Sequence, residues 1–114
     1  MKVFIRGLVP KTTLNSREHW GPKGRRAKRE REAAYAALRA AGTAWYDHVV
    51  VVITRLSPRR LDDDNATAAM KSVRDGVADW LRIDDGCERI RWVVEQAKVS
   101  GRDAGTMIEI MEAN

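Results

Sequence analysis

Residues 49–53 read Val-Val-Val-Val-Ile, five β-branched side chains in succession. Such side chains lose rotamer freedom in a helix and pack well on a pleated surface, so the stretch 45–56 is predicted to form a strand. Hydrophobicity that is continuous rather than alternating predicts a strand covered on both faces and placed centrally in its sheet. Pro58 sets its end, because proline cannot donate to a strand ladder. The chain then runs straight into Arg59-Arg60-Leu61-Asp62-Asp63-Asp64-Asn65.

The rest of the chain supplies partners for that strand. Residues 3–8 form a short apolar segment ended by Pro10 and a polar, turn-forming run. Residues 23–41 are rich in Ala, Arg, Lys and Glu, with Gly42 placed to stop a helix in the left-handed conformation. Ala34, Tyr35, Leu38 and Ala41 give that helix its apolar side. A second helix, capped by Asp64 or Asn65 and reaching Leu81, carries an apolar stripe of Ala66, Met70, Val73, Val77 and Leu81. Ile90, Trp92 and Val94 alternate with Arg89, Arg91 and Glu95, and a last strand over 106–111 is expected to pair with them as an antiparallel hairpin across the turn 100–105. At 114 residues the chain fits one core better than two. The expectation is one α/β (α+β) domain over 1–114, with a mixed four-stranded sheet, two helices and the order β-α-β-α-β-β.

Composition narrows the function. No apolar run approaches the roughly 20 residues that cross a bilayer. The N-terminal stretch, interrupted by Arg6, lacks the small-residue cleavage site of a secretory signal, so a cytoplasmic location without membrane contact is expected. Cys87 is the single cysteine, which excludes an internal disulfide, and no Cys and His set has zinc-ligand spacing. Lysine and arginine number 21 against 16 acids, a net charge of +5 that favours polyanionic partners. Residues 17–32 hold seven basic residues and three acids, whereas five aspartates fall in two tight groups, 62–64 and 84–85. Cations that grip phosphate beside carboxylates that grip metal are what a metal-dependent nuclease needs.

Were residues 62–64 to continue the strand, alternation would point Asp62 and Asp64 to one side and Asp63 to the other. Carboxylates this close repel unless a metal, a proton or a cation offsets them. Mg2+ suits the set, because it prefers hard oxygen ligands and keeps room for water and phosphate. The plainer alternative is that 62–64 form a solvated turn and a helix cap.

An Asp-x-Asp-Asn motif after a central strand, a lysine on the next helix and an Asp-Asp pair before the following strand together resemble the RusA family of Holliday-junction resolvases. The resemblance spans about residues 45–94. It implies that Asp62, Asp64 and Asp85 are catalytic, metal-holding carboxylates, that Asn65 and Asp75 match the motif asparagine and an acid on the helix, and that Mg2+, or Mn2+ in its place, is the cofactor. It further implies endonucleolytic cutting of branched DNA by a homodimer, without a small-molecule cofactor, in a bacterial or phage-infected cell. One departure stands out: the family's catalytic lysine falls where this chain has Ala68, and Lys71 is the nearest candidate. On a continuous helix Lys71 shares a stripe with Asp64 and Asp75, so an i,i+4 salt bridge to Asp75, worth about 0.2–0.5 kcal/mol, is the alternative role.

Distance raises a second difficulty. A helix over 65–81 is roughly 25 Å long and residues 82–84 span only about 10 Å, so Asp85 cannot fold back to Asp64 unless the helix starts late or a second subunit completes the site. Arg25, Arg26, Lys28, Arg29, Arg59 and Arg60 are the candidate phosphate contacts, with a solvated helix face as the alternative for the first four. Trp20 is a candidate for stacking on an unpaired base, or else a packing anchor. His19 and His48 lack partners at metal spacing. The rival function is a nucleic-acid-binding protein of the same fold that does not cut.

Overall fold

The computed structural model describes residues 1–11 and 20–113, and within these the side chains of all but residues 20–23. The chain forms β1 (Lys2–Arg6), α1 (Trp20–Ala41), β2 (Val49–Ser57), α2 (Asp63–Ala69), α3 (Lys71–Leu81), β3 (Ile90–Lys98) and β4 (Gly105–Glu112). The sheet is mixed and four-stranded, in the order β1-β4-β2-β3. The expected α+β class and element order hold, but the second helix is broken at Met70 into α2 and α3, which makes three α-helices among the described residues.

The valine-rich strand is interior, as its composition predicts. β2 runs parallel to β3, with Val49 opposite Ile90, and antiparallel to β4, with Val49 opposite Glu112. The hairpin expected between the last two strands therefore does not form, because β2 lies between them. Two strand spacings separate β3 from β4, about 10 Å, which residues 99–104 cross easily with a short 3-10 turn at Gly101–Asp103. Pairing on both edges satisfies every ladder group of the strand with the strongest β preference; a β3-β4 hairpin would have left β2 one neighbour short.

Only one face of β2 is fully covered, contrary to the expectation of two. Val49, Val51 and Ile53 are buried, whereas Val50, Val52, Thr54 and Leu56 on the opposite face are half-exposed. The covered face packs with Ile108 and Ile110 of β4 against Ala34 and Leu38 of α1 and Met70, Val73 and Val77 of the second helical stretch. Each such aliphatic side chain contributes about 1.5–3 kcal/mol on full burial. The predicted apolar stripe of α2 and α3 is buried throughout, whereas Ala41 at the end of α1 is exposed.

α1 and α3 run parallel and touch closely. Ser72 Oγ donates to Glu30 Oε1 at 2.6 Å near the start of α3, and Trp80 Nε1 donates to the Gly42 carbonyl at 3.1 Å near its end. Between them sits Gly76, where an added Cβ would lie 2.3 Å from the Arg31 carbonyl oxygen and 2.9 Å from Ala34 Cβ. Gly42, at φ 142°, stops α1 in a conformation that side chains rarely adopt. On an open helix a Gly→Ala change stabilises by about 1 kcal/mol. At Gly76 the contact with α1 backbone reverses the sign, and Gly76→Ala is expected to cost about 1–3 kcal/mol, read from the urea midpoint; a stabilised variant would contradict this close approach.

Candidate nucleic-acid and metal site

β2 ends at Ser57, so residues 62–64 do not continue the strand and period-two alternation does not govern them. Asp62, not Asp64 or Asn65, takes the N-cap position of α2, with extended backbone at φ −68° and ψ 160°. Its carbonyl accepts the Ala66 N–H at 2.9 Å, yet its carboxylate caps no backbone group and instead accepts from the Asn65 side-chain amide. Asp63 and Asp64 occupy the first turn, where the helix dipole favours negative charge. All three carboxylates are exposed, and Asp63 pairs loosely with Arg60 at 3.7 Å.

Two anchors hold this segment to the sheet. Leu61 exchanges two bonds with the Gln96 amide, its N–H to Oε1 at 2.9 Å and its carbonyl from Nε2 at 2.7 Å. Arg55, only 5% exposed, reaches out of the core with Nε donating to the Pro10 carbonyl at 2.9 Å and Nη1 to the Arg59 carbonyl at 2.8 Å. Burial lowers the Arg55 pKa from its ordinary value. Arg55 thus fixes the loop that presents Arg59 and Arg60, a role its place in an alternating strand did not announce.

The break at Met70 starts α3 at Lys71, whose ammonium donates to Asp75 Oδ1 at 2.9 Å and to Asp85 Oδ2 at 2.5 Å. Asp85 gets there because α3 stops at Leu81 and Arg82, left-handed at φ 58° and ψ 35°, turns the chain back along the helix. Asp84 accepts the Gly86 N–H at 2.9 Å, and Trp92 Nε1 donates to the Asp85 carbonyl at 2.8 Å, which ties the turn to β3. The Arg74 guanidinium lies 4.8 Å from the Trp92 ring centroid. Bonds to Asp85 and then Asp75 raise the Lys71 pKa, and the Lys71 bond lowers that of Asp85. Arg74 and Trp92 belong to the site; the alternation of Ile90, Trp92 and Val94 placed Trp92 on the helix-facing side but could not name its partner.

The structure therefore joins Lys71, Asp75 and Asp85 and sets Asp62 and Asp64 apart from them. Leu61 sits at Gln96 and Asp85 at Trp92, four residues away along β3, a separation of about 13 Å. Among the described residues no three His, Cys, Asp or Glu side chains form a group that could hold a metal. The donors suit Mg2+ in kind, being oxygen only, but one chain does not gather all three expected ligands around one ion.

The cations frame both acidic groups. Because α1 and α3 are parallel, the basic first half of α1 lies toward α2, where Arg26 and Lys11 line a cleft with Ala68 and Ala69. Arg25, Lys28, Arg29, Arg59 and Arg60 are exposed. His48 is exposed and Cys87 is half-buried and free. His19, Arg17 and the Trp20 side chain lie outside the described residues. Among the described residues no helix is long and apolar enough to cross a membrane.

No protein family model matches the sequence. An uncharacterized protein of Xylella fastidiosa (strain Temecula1) is 38% identical over 80 residues, covering 62% of this chain and 51% of that protein. The chain thus spans about half the length of this relative.

One ion pair ties the basic helix α1 to α3. Arg31 grips Asp79 through two bonds, Nε to Oδ2 at 2.7 Å and Nη2 to Oδ1 at 2.8 Å, and this lowers the Asp79 pKa. A depressed carboxylate pKa gives stability that is full above the ordinary value of about 3.9 and is lost as pH falls through the folded-state value. Both side chains are about half-exposed, so Asp79→Asn should cost only about 0.2–1 kcal/mol near neutral pH. The gap to the parent protein, read from urea unfolding, should narrow progressively as pH falls below that ordinary value; a gap that stays constant through acid would contradict the pairing.

Proposed function

We propose that the chain is a metal-dependent endodeoxyribonuclease that cuts phosphodiesters in branched DNA, a Holliday-junction resolvase of RusA type serving recombination and repair. One observation carries this reading: Lys71 touches Asp85 across 14 residues of sequence. A plain helix-surface salt bridge accounts for the Lys71–Asp75 contact alone. The Asp85 contact unites the lysine and the third carboxylate that the RusA resemblance assigns to one site, and it supports Lys71 as the counterpart of the lysine missing at Ala68.

Asp62 and Asp64 of one copy, completed by Asp85 of a second, would hold Mg2+, or Mn2+ in its place, which when bound would supply a water of lowered pKa and offset charge on the phosphate oxygens. Arg25, Arg26, Lys28, Arg29, Arg59 and Arg60 hold the DNA backbone on either side of the acids, and because these are phosphate contacts, affinity falls steeply as salt rises. A phosphate arriving at Lys71 competes with Asp75 and Asp85 for its ammonium. That exchange frees Asp85 and places the lysine's charge on the phosphate oxygens.

A homodimer belongs to the same proposal, since a junction with two-fold symmetry presents two strands to cut. The half-exposed sheet face, with Val50, Val52 and Met111 on it, offers an apolar surface that a second copy can cover. The cytoplasm of a bacterial or phage-infected cell is the proposed location.

The alternative is a DNA-binding protein that does not cut, favoured by the separation of Asp62 and Asp64 from Asp85. Asp64→Asn is expected to abolish cleavage of a synthetic four-way junction in Mg2+ while binding stays within about twofold, as for a residue used after binding. Unimpaired cutting by the variant would refute the site. A parent protein that binds junctions but never cuts them in Mg2+ or Mn2+ would establish the alternative.

A further inference from the structure

Trp45 is 80% exposed, far more than any other large apolar side chain among the described residues. It stands in the connection between α1 and β2, at the mouth of a cleft of about 360 Å3 lined also by Tyr35, Arg39, Trp80 and Arg82. That volume lies within the roughly 300–1,000 Å3 of clefts that take a small-molecule-sized group. Trp80 forms the buried floor, fixed by its bond to the Gly42 carbonyl. The Arg82 guanidinium lies 5.8 Å from the Trp45 ring centroid, and Arg39 Nη1 donates to the Tyr35 hydroxyl at 3.4 Å.

Three features of this corner point to one kind of ligand. The indole packs against little of its own chain, so its second ring face is open. Among the described residues neither Arg39 nor Arg82 makes an ion pair, and the one acid lining the cleft with them, Asp79, is held by Arg31. Arg82 is also the one non-glycine residue with positive φ among the described residues, at a helix C-cap where glycine adopts that backbone without steric penalty. The left-handed turn there carries a side chain that lies over Trp45. An open aromatic face flanked by guanidinium groups that make no ion pair matches a flat base with phosphates on either side.

We propose that Trp45 is a stacking platform for an unpaired nucleotide base, with Arg39 and Arg82 holding the phosphates next to it. The cleft shares Arg82 and Asp79 with the one lined by Arg31, Asp75, Asp84 and Asp85, so a strand stacked on Trp45 lies beside that group. This inference rests on the nucleic-acid reading given above and adds that the bound DNA has a single-stranded or frayed segment at this corner.

The test uses the full chain with two probes, a fluorescein-labelled oligo(dT) strand and a blunt duplex of the same length. The parent protein should bind both, with its tryptophan fluorescence quenched by oligo(dT). Trp45→Ala should lose on the order of tenfold in oligo(dT) affinity and most of the quenching, with duplex affinity changed less than about twofold, whereas Trp45→Phe should recover part of the loss. An unchanged thermal midpoint certifies that the variants fold. Full oligo(dT) affinity in Trp45→Ala, with duplex binding intact, would overturn the stacking site and leave the proposed function standing. A parent protein that binds neither probe at low salt would overturn both.

Discussion

Pairing of β2 on both of its edges, parallel to β3 and antiparallel to β4, fixes where the two acidic loops emerge. The parallel step requires a crossover, and α2 and α3 supply it over the covered face of the sheet. The crossover begins beside the acids at 62–64 and ends beside those at 84–85, so both groups lie along the β3 edge. Gly76 lets α1 come close enough to place its basic half against the same crossover.

Within that frame the charges form a line rather than a ring. Arg59 and Arg60 stand with the acids at the start of α2, Lys71 with Asp75 and Asp85 at the start of α3, and Arg82 with Trp45 beyond its end. Lys71 neutralises two carboxylates, those of Asp75 and Asp85. Its own side chain is exposed, with both carboxylates half-buried, and such pairs near the surface contribute little to stability. An arrangement so weakly held is open to exchange, which suits residues that meet a polyanion better than residues that hold a fold together.

Much of the fold was legible in the amino-acid sequence. The β-branched run at 49–53 pointed to the interior strand, and the stripe of Met70, Val73, Val77 and Leu81 named the buried side of the second helical stretch. The strand order was not legible, because an alternating strand at 90–94 followed by a last strand at 106–111 fits a hairpin and a separated pair equally well. One covered face instead of two was missed for a related reason, as valines on the second face are only half-buried. At the site, the resemblance brought Lys71 and Asp85 into one picture, but the break at Met70 and the left-handed Arg82, which make their contact, left no mark in the pattern. Arg55 and Trp45 escaped notice because a single sequence does not show which arginine is buried or which tryptophan is bare.

Whether the aspartates hold a divalent ion is tested most directly by adding substoichiometric Mn2+ to the isotope-labelled chain and following the broadening of its amide signals. The proposed site predicts selective loss of signals from residues 62–65 and 84–86, abolished in the Asp62→Asn, Asp64→Asn double variant. No selective broadening, or broadening centred on Glu109 and Glu112 instead, would contradict it.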